Sequence, residues 1–543
     1  MHNLKTLIPL LKRHRLELAV GFLFMLLQNY GYMKSPAYMQ QALDELTDAN
    51  RVDVITQALL LVAAYTLLTV ASMFLMRKLI IGVSRKIEYT LRAQLYQKFL
   101  SLDMAFFLKN ETGDLVSRCT NDLNEVRLLL GPGIMYIPNS LSRLLLFLPV
   151  LISLSLPLMM AIVVMMIVII ALILVVMPRL RPMYRRIQEF MGVINNRVWQ
   201  VISGITTIKL YTLEDIETER FKTLNEEYIR RQLRVVKIRG FLWPLFIFVF
   251  SLTELLILLI GGRQVIQDEM TIGQLLQFNV MVAHLTFPVL SLGWVMSLIQ
   301  QGMSAMGRIN FILNYPVETR TDWKALETDD LVFETNNLSY RYPEHREPVL
   351  PQTATTHPQK DAKPPLSKIE GPVITPPVVH LSQERTSELV LNQMNLTITP
   401  GQVVGITGTI GSGKTSLLNV LVGLYRPERG MVFVNGIDIC DIQPESLFSK
   451  ISVVPQETFL FSRSIAENVS LANNGQVRLD AVKDAVRSAG LEKDVLTFPH
   501  QYDQVLGERG ITLSGGQKQR TAIARALLKS SPVLIFDDAL SSV

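Results

Sequence analysis

The sequence predicts a helical membrane domain followed by an α/β domain, and three observations support this fold class. Long apolar runs recur through residues 1–315, and each is long enough to cross a hydrocarbon layer of about 30 Å as a helix. Charged residues make up 18% of the 543 residues, against about 25% in ordinary soluble domains. After residue 315 short apolar runs alternate with turn residues, as in a globular domain that mixes strands and helices.

The apolar runs predict six membrane spans. The first is the least uniform, because Gln28, Asn29 and Lys34 interrupt it. The predicted limits are 16–42, 56–80, 129–153, 155–178, 240–263 and 273–300.

The distribution of Lys and Arg predicts the orientation. Both residue types are concentrated before span one and in the connections after spans two and four, whereas the connection after span one is acidic. Basic loops stay in the cytoplasm, so we expect a multi-pass protein of the cytoplasmic (inner) membrane with both termini cytoplasmic. The same pattern accounts for the net charge of +6, and we expect no nucleic-acid partner.

The two long basic connections are nearly free of Gly and Pro, so we expect the spans to continue as helices into the cytoplasm. Each connection has one break, within 106–122 and within 204–221. A helix pair joined by a short turn, held away from the bilayer, can push on a cytoplasmic domain.

Ionisable residues inside spans are functional candidates. Glu254 of span five could bind a cationic substrate, or it could pair with Lys34 of span one. Pro288 should kink span six near His284. The methionines of span four could form a soft substrate wall or could simply face lipid.

The cytoplasmic domain is predicted over 329–543. LVFETNNLSYRYP indicates a pair of strands, and order resumes at LVLNQMNLTITP. Between them, residues 344–388 are rich in Pro, Thr and charged residues and have no periodicity, so we expect a disordered or polyproline-like surface insertion.

A phosphate-binding loop is the most specific motif in this domain. It fits G-x-x-x-x-G-K-[ST], follows the apolar run 403–407, which we predict as a strand, and precedes a predicted helix. Lys414 would reach the β- and γ-phosphates of a nucleotide and Thr415 would hold Mg²⁺. The nucleotide-binding candidates here are Gly408, Thr409, Ile410, Gly411, Ser412, Gly413, Lys414, Thr415 and Ser416.

Two carboxylates follow the apolar strand VLIF. The strand should deliver Asp537 beside the loop to hold the Mg²⁺ shell, and Asp538 to orient or deprotonate the attacking water. Upstream, Ser514, Gly515, Gly516 and Gln517 begin a predicted helix and form a second phosphate-binding terminus. One chain cannot place both sites on the same γ-phosphate at this spacing, whereas two chains arranged head to tail can.

With these motifs in order, the chain resembles the ATP-binding cassette exporter family over nearly its whole length, and most closely the bacterial multidrug-resistance-like half-transporters. The resemblance implies six transmembrane helices with long cytoplasmic extensions, an α/β P-loop ATP-binding cassette domain, ATP and Mg²⁺ as cofactors, and function as a dimer. It further implies that Tyr342 stacks on adenine and that Gln456 contacts Mg²⁺ and senses the membrane domain. By the same resemblance, Glu508 is a cross-linking acidic residue.

The resemblance also identifies coupling segments near 106–113 and 211–221. The catalytic candidates are then Asp538 and Gln456.

Two departures from the family pattern matter. The family usually has Glu where this chain has Asp538, which favours a heterodimer with one weak ATP site over a homodimer in which Asp538 suffices. The chain also ends at Val543, before the family's D-loop aspartate and switch histidine. We therefore expect a chain truncated at its C-terminus, and hydrolysis by this chain alone stays open.

The predicted function is ATP-driven export by alternating access, with a second half-transporter, the lipid bilayer and a hydrophobic or amphiphilic small molecule as partners. Two alternatives remain at this point. One is a lipid flippase, and the other is a regulatory subunit that binds ATP without turnover.

Overall fold

The computed structural model describes residues 5–47, 52–317, 322–343, 389–473, 475–507, 510 and 512–539. The predicted insertion 344–388, Glu508 and residues 540–543 lie outside these ranges. The chain divides into two compact units. The first comprises Met1–Tyr96 and Ser117–Asn314, and the second comprises Gln97–Val116 and Tyr315–Val543.

The described residues of the first unit form helices. Along the chain, its two parts are separated by Gln97–Val116, a segment of the second unit that contains one short helix. Two of the long helical runs contain π-helical turns, at Arg118–Asp122 and Leu129–Gly133 in one and at Ile257–Gly261 in the other. In chain order the helices are α1 (Leu7–Arg13), α2 (Arg15–Asp44), α3 (Val52–Ser101), α4 (Met104–Lys109, in the second unit), α5 (Thr112–Leu154), α6 (Leu156–Ser203), α7 (Ile205–Leu210), α8 (Glu214–Ile266) and α9 (Ile272–Leu313).

The long helices exceed the thickness of a membrane. Helix α3 has 50 residues and is therefore about 75 Å long, whereas a hydrocarbon core measures about 30 Å. Among the described residues, α3, α5, α6 and α8 are long and apolar enough to cross a membrane. Each predicted span lies within one helical run, except that the fourth begins at Ser155, the residue that caps α6, and the number of runs that cross the bilayer stays a prediction.

Side-chain caps hold the ends of neighbouring helices in the first unit. Asp44 at the end of α2 accepts hydrogen bonds from the Gly273 N–H and the Thr271 hydroxyl, each at 2.9 Å. Thr271 in turn forms a capping box with Gln274 at the start of α9. The acidic end of α2 therefore anchors the start of α9.

Lys34 and Glu254 do not form the ion pair that the sequence suggested. The Lys34 ammonium lies 5.9 Å from the centre of the Tyr30 ring, and Glu254 is exposed and forms no ion pair with a described residue. Helix α8 buries Thr253 and Ile257, so Glu254, next to Thr253, points away from that stripe. The suggested pairing of Lys34 with Glu254 is therefore wrong.

The second unit contains two sheets and short helices in its described residues. Strands β1 (Phe333–Tyr340), β2 (Leu391–Ile398), β3 (Val432–Val434) and β4 (Ile437–Asp438) form an antiparallel sheet in the order β2-β1-β3-β4. Strands β5 (Ile451–Val454) and β6 (Val533–Phe536) pair in parallel. The helices are α10 (Lys414–Leu421), α11 (Pro444–Ser449), α12 (Ile465–Ser470), α13 (Leu479–Ser488), α14 (Glu492–Thr497) and α15 (Gly515–Lys529).

Two local expectations fail in this unit. The segment predicted as a pair of strands is the single strand β1, because its central asparagines form an irregularity instead of a hairpin turn. Asn337 has a φ of 46°, and its N–H donates to Asn395 Oδ1 of β2 at 2.7 Å. The run 403–407 is not assigned to a strand and Val403 is fully exposed, since an apolar run becomes a strand only where a neighbouring strand pairs with its backbone.

Two separate hydrophobic clusters stabilise the second unit. One contains Leu338 of β1, Val420 of α10 and Val434 of β3. The other contains Val482 of α13 and Ala524 of α15. The helix that follows the phosphate-binding loop and the helix that begins at Gly515 therefore belong to different cores.

Candidate functional site

The loop 408–413 has a backbone that glycine alone adopts easily. Gly411 and Gly413 have φ values of 82° and 89°, in the left-handed region that disfavours other residues. A Cβ at Gly413 would also lie 2.9 Å from the carbonyl oxygen of Val390. Helix α10 starts immediately afterwards at Lys414, so its unpaired N–H groups open toward the loop and favour an anion.

Lys414 is held inside the curve of this loop. Its ammonium donates to the carbonyl oxygens of Gly408 and Thr409, both at 2.9 Å. The loop itself is open to solvent, and the Ile410 side chain is fully exposed. An ammonium that donates to two neutral carbonyls can exchange them for phosphate oxygens, which are stronger partners.

Strand β6 brings a carboxylate to the start of α10. The Asp537 N–H donates to the Val454 carbonyl at 3.0 Å, and this bond extends the β5–β6 pairing by one residue. The Thr415 hydroxyl then donates to Asp537 Oδ1 at 3.2 Å. Adjacent oxygens around Mg²⁺ are about 3.0 Å apart for bonds of about 2.1 Å, so this pair fits a Mg²⁺ ion that takes its other ligands from phosphates and water.

The next carboxylate meets the predicted glutamine. Gln456 Nε2 donates to Asp538 Oδ2 at 3.5 Å. Asp538 has a φ of 49°, a conformation that is uncommon outside glycine and is found at functional sites. The two catalytic candidates are therefore neighbours, beside the Thr415–Asp537 pair.

An aromatic cluster lies next to the phosphate-binding loop. The Tyr342 hydroxyl is 2.7 Å from Ser416 Oγ, and its ring packs edge-on against Tyr340 and Tyr425 at 5.6 and 5.7 Å. Burial and the neighbouring phenols raise the pKa of Tyr340 to about 12, so the Tyr340 phenol is uncharged at neutral pH. Tyr342 keeps 38% of its surface exposed, enough for a flat ring to stack on it.

The second predicted phosphate-binding terminus is an open helix start with a capping box. Ser514 Oγ accepts from the Gln517 N–H at 3.2 Å, and Gln517 Oε1 accepts from the Ser514 N–H at 2.9 Å. The position of a Cβ on Gly515 would have no neighbour within 4 Å. The first turn of α15 is therefore rigid and accessible.

Sequence reasoning missed Asp494, which holds this helix start in place. Asp494 accepts from Gln517 Nε2 at 3.0 Å and from Arg520 Nη2 at 2.8 Å. It lies on α14, 23 residues before Gln517, and no local pattern connects the two positions.

Within the described residues, no hydrogen bond or ion pair joins loop 408–413 or Lys414 to Ser514 or Gln517. Their helices also pack into different hydrophobic clusters. The loop and the start of α15 are therefore two separate, solvent-accessible candidate sites within the described residues.

The two breaks predicted in the long connections have different surroundings. Asp103 caps α4 by accepting from the Phe106 N–H at 3.1 Å, and the buried Phe106 ring lies 4.7 Å from the Tyr315 ring in the second unit. At the other break, between α7 and α8, Leu210 and Tyr211 are more than two-thirds exposed.

Comparisons with known proteins bear on both units. Residues 18–289 match the family model described as the ABC transporter transmembrane region. Residues 391–541 match the model described as ABC transporter.

Curated relatives match most of the chain. The probable multidrug resistance ABC transporter ATP-binding/permease protein YheI of Bacillus subtilis (strain 168) is 29% identical over 98% of this chain and 84% of its own length. The multidrug resistance-like ATP-binding protein MdlA of Escherichia coli (strain K12) is 27% identical over 90% and 75%. The ATP-dependent lipid A-core flippase of Syntrophus aciditrophicus (strain SB) is 27% identical over 100% and 83%.

A solved structure shares the fold. It is that of a bacterial Atm1-family ABC exporter with ATP bound, which superposes with a TM-score of 0.69 at 21% identity and covers 98% of this chain and 87% of its own.

Proposed function

This chain belongs to the ABC transporter family, and from that premise we propose that it exports a hydrophobic or amphiphilic substrate across the cytoplasmic (inner) membrane by alternating access. It has the size of a half-transporter of the exporter type, an ATPase-coupled membrane protein. The proposed orientation places both termini in the cytoplasm, which the basic connections after spans two and four support.

The ATP site is proposed at loop 408–413 with Lys414, Thr415, Ser416 and Tyr342. The observation that carries this assignment is the contact of Lys414 with its own loop carbonyls, beside the 3.2 Å pair of Thr415 and Asp537. Mg²⁺, when bound, neutralises charge on the phosphates. Thr415, Asp537 and Gln456 would hold it.

The second half-site is proposed to act on the nucleotide of another chain. Ser514, Gly515, Gly516 and Gln517 form an accessible helix start that loop 408–413 of the same chain does not contact. Two chains arranged head to tail would complete two ATP sites, each closed by the α15 start of the opposite chain.

Asp538 favours a heterodimer with one weak ATP site. Its carboxylate is one methylene shorter than that of glutamate, and a displacement of about 1 Å can lower a rate by roughly 100-fold. The helix start at Ser514 has an intact capping box and is accessible, so this chain could still complete the site of a more active partner. A homodimer in which Asp538 suffices is the competing assembly.

ATP-driven closure is proposed to reach the membrane helices through 106–113 and 211–221. The packing of Phe106 on Tyr315 within the second unit supports the first segment, and the exposed Leu210 and Tyr211 support the second.

Two further candidates each have one supporting observation. The similarity to a protein named as an ATP-dependent lipid A-core flippase favours a lipid as the substrate. The shortened Asp538 favours a subunit that binds ATP without turnover of its own.

The deciding experiment is ATP hydrolysis by the purified chain alone in lipid nanodiscs, together with an ATP-binding assay. ATP binding with little turnover, rescued by a second half-transporter, is the expected result, and Lys414→Ala should abolish binding. Lys493→Ala, which removes an exposed lysine of α14, is the matched control and should change neither quantity.

Vigorous turnover by the chain alone, lost on Lys414→Ala, would instead establish a homodimer. Unchanged ATP binding by Lys414→Ala would overturn the assignment of the site.

A further inference from the structure

A charged side chain lies near the middle of the first unit's helices, where no charge is expected without a role. Arg143 is 8% exposed and sits close to the centre of the predicted span 129–153. Its contacts, Asn29 and His284, are likewise central in spans 16–42 and 273–300. Arginine in the interior of a membrane protein is costly and is generally retained for a function.

Neutral groups surround the Arg143 guanidinium. Nε donates to Asn29 Oδ1 at 3.2 Å, and Nη1 donates to the His284 carbonyl oxygen at 3.1 Å. The guanidinium carbon lies 4.8 Å from the centre of the Tyr32 ring, and that ring is 4.5 Å from the His284 ring. Three helices, α2, α5 and α9, thus meet at one cation.

The orientation of Asn29 is fixed from its other side. Its Nδ2 donates to Asn139 Oδ1 at 2.9 Å and to Ser142 Oγ at 2.7 Å. The Asn29 side chain is fully buried, so its oxygen is held toward Arg143. The network places the guanidinium without supplying any negative charge.

Arg143 therefore lacks a counterion within the part of the chain that the structure describes. A guanidinium has five N–H donors in a planar fork, and these contacts engage one on Nε and one on Nη1. No carboxylate among the described residues forms an ion pair with it. The remaining donors suit a bidentate anion such as a carboxylate or a phosphate.

We propose that Arg143 binds the anionic group of an amphiphilic substrate, with the Tyr32 and His284 rings beside the apolar part of that molecule. The inference rests on the proposed export function and names the substrate class of the same transporter. Apolar surface is close by, because Phe147, 6.5 Å from the His284 ring, belongs to a hydrophobic cluster with Leu151 and Met281. An anionic head and an apolar body would both find partners here.

A preference for cationic substrates, which Glu254 suggested in the sequence, has weaker support. Glu254 is exposed on α8, whereas Arg143 is buried and positioned by three helices. A purely structural clamp is the other alternative, and a clamp needs only the hydrogen bonds of the network and not its positive charge.

The test is equilibrium binding to this chain in phosphatidylcholine nanodiscs without ATP, with empty nanodiscs as the background. The probes share one alkyl chain and differ in the head group: dodecyl phosphate, dodecanoate, dodecyltrimethylammonium and dodecanol. We expect the two anionic probes to bind at least about tenfold more tightly than the cationic and neutral ones, as a charge-assisted hydrogen bond allows.

Arg143→Gln should remove this preference, and Arg143→Lys should keep part of it, because lysine retains the charge without the fork. Arg263→Gln is the matched control, since Arg263 is exposed near the end of α8, and it should bind like the unchanged chain. An anionic preference that survives Arg143→Gln would overturn the proposal.

Asn29→Asp keeps the test decisive if Arg143→Gln does not fold. The new carboxylate would occupy the place of the amide 3.2 Å from Arg143 Nε and supply an internal counterion. Ser142 can donate to it, and the Asn139 amide can rotate to donate as well. Loss of the anionic preference in a folded Asn29→Asp chain supports the proposal, and an unchanged preference shows that Arg143 is structural only.

The outcomes separate this inference from the proposed function, because probe binding is measured without hydrolysis. ATP-driven transport without any anionic preference would refute only the role of Arg143. Anionic preference without ATP turnover in any pairing would refute only the transport cycle. Phosphatidic acid in the nanodisc should compete with dodecyl phosphate if a lipid head group is the natural ligand, and should not compete if a free amphiphile is.

Discussion

At the scale of single residues, we expect one methylene group at Asp538 to limit how well the proposed ATP site works. Asp538 has a left-handed backbone with a φ of 49°, and its carboxylate lies 3.5 Å from Gln456 Nε2. A glutamate at the same backbone position would extend its carboxylate by about 1 Å, a distance that can change a rate by roughly 100-fold. We therefore expect the rate to depend on the length of this side chain as well as on the presence of a carboxylate.

Asp538→Glu should raise the ATP hydrolysis rate of the chain by about tenfold or more, because the longer side chain brings its carboxylate nearer to the attacking water. The measurement is kcat in nanodiscs at saturating ATP. Asp484→Glu is the control, since Asp484 is exposed on α13 and should leave kcat unchanged. An equal kcat for Asp538→Glu and the unchanged chain would mean that Asp538 does not limit the reaction.

Cys440 should react slowly with alkylating reagents while the protein is folded. Burial, followed by the nearby Asp438 carboxylate, raises the pKa of its thiol to about 11, and only the thiolate reacts. In a Cys119→Ala chain we expect iodoacetamide at pH 8 to label native Cys440 about 100-fold more slowly than the unfolded chain.

The rate of Cys440 labelling should rise with pH up to about 11, because the thiolate fraction rises until the pH passes the pKa. Mass spectrometry of timed samples measures it. Equal labelling of folded and unfolded protein at pH 8 would contradict a buried, neutral thiol.

At the scale of secondary-structure elements, two helices of the second unit begin with a capping box but differ in their first helical residue. Ser514 and Gln517 form a capping box on α15, and Ser464 and Glu467 form one on α12. The two caps should contribute similarly to stability, about 1 kcal/mol each. Of the two, only α15 begins with a glycine, and a Cβ at Gly515 would have no neighbour within 4 Å.

Ser514→Ala and Ser464→Ala should therefore lower the stability of the second unit by similar amounts, about 1 kcal/mol. Only Ser514→Ala should weaken ATP-dependent association of two chains, because only this serine belongs to the proposed half-site. Denaturant unfolding measures the first quantity, and sedimentation with and without ATP measures the second. Equal effects of both variants on association would exclude a specific role for the α15 start.

At the scale of the whole molecule, the chain crosses between its two compact units at α4. This helix belongs to the second unit, although the chain on either side of it continues into long helices of the first. Within the second unit, the fully buried Phe106 ring packs edge-on against Tyr315. Motion of the second unit is therefore expected to reach the helices α3 and α5 that flank α4.

Phe106→Ala should uncouple ATP hydrolysis from the presence of an amphiphile. Removing a buried phenylalanine leaves a cavity and lowers the free energy of unfolding by about 3–5 kcal/mol. Helix α4 should then no longer be held in place against Tyr315. The adjacent Phe107→Ala is the control, because Phe107 is 37% exposed and should cost much less. The measurement is the ratio of hydrolysis rates with and without amphiphile, and a Phe106→Ala ratio equal to that of the unchanged chain would contradict the coupling role.

Sequence alone determined the features that depend on neighbouring residues. Glycines at 411 and 413 allow the left-handed turns of the phosphate-binding loop. Ser514 caps the start of α15 together with Gln517, which lies three residues further along the chain. Apolar runs of about 20 residues predicted the long helices because helical length and hydropathy are local properties. The phosphate-binding loop, Asp537 and Asp538 could be named from short motifs for the same reason, whereas Tyr342 and Gln456 were named through the family resemblance.

Tertiary structure decided which of these elements meet. Arg143 contacts Asn29 and His284 across 114 and 141 residues of sequence, and Asp494 holds Gln517 from another helix. The strand-like run 403–407 and the suggested pair of Lys34 with Glu254 failed as predictions because both required a specific partner. A local pattern predicts which groups of a segment can be buried or hydrogen-bonded, whereas tertiary packing selects their partners. A helix rotated by one residue presents a face about 100° away, so the partners change although the sequence pattern does not.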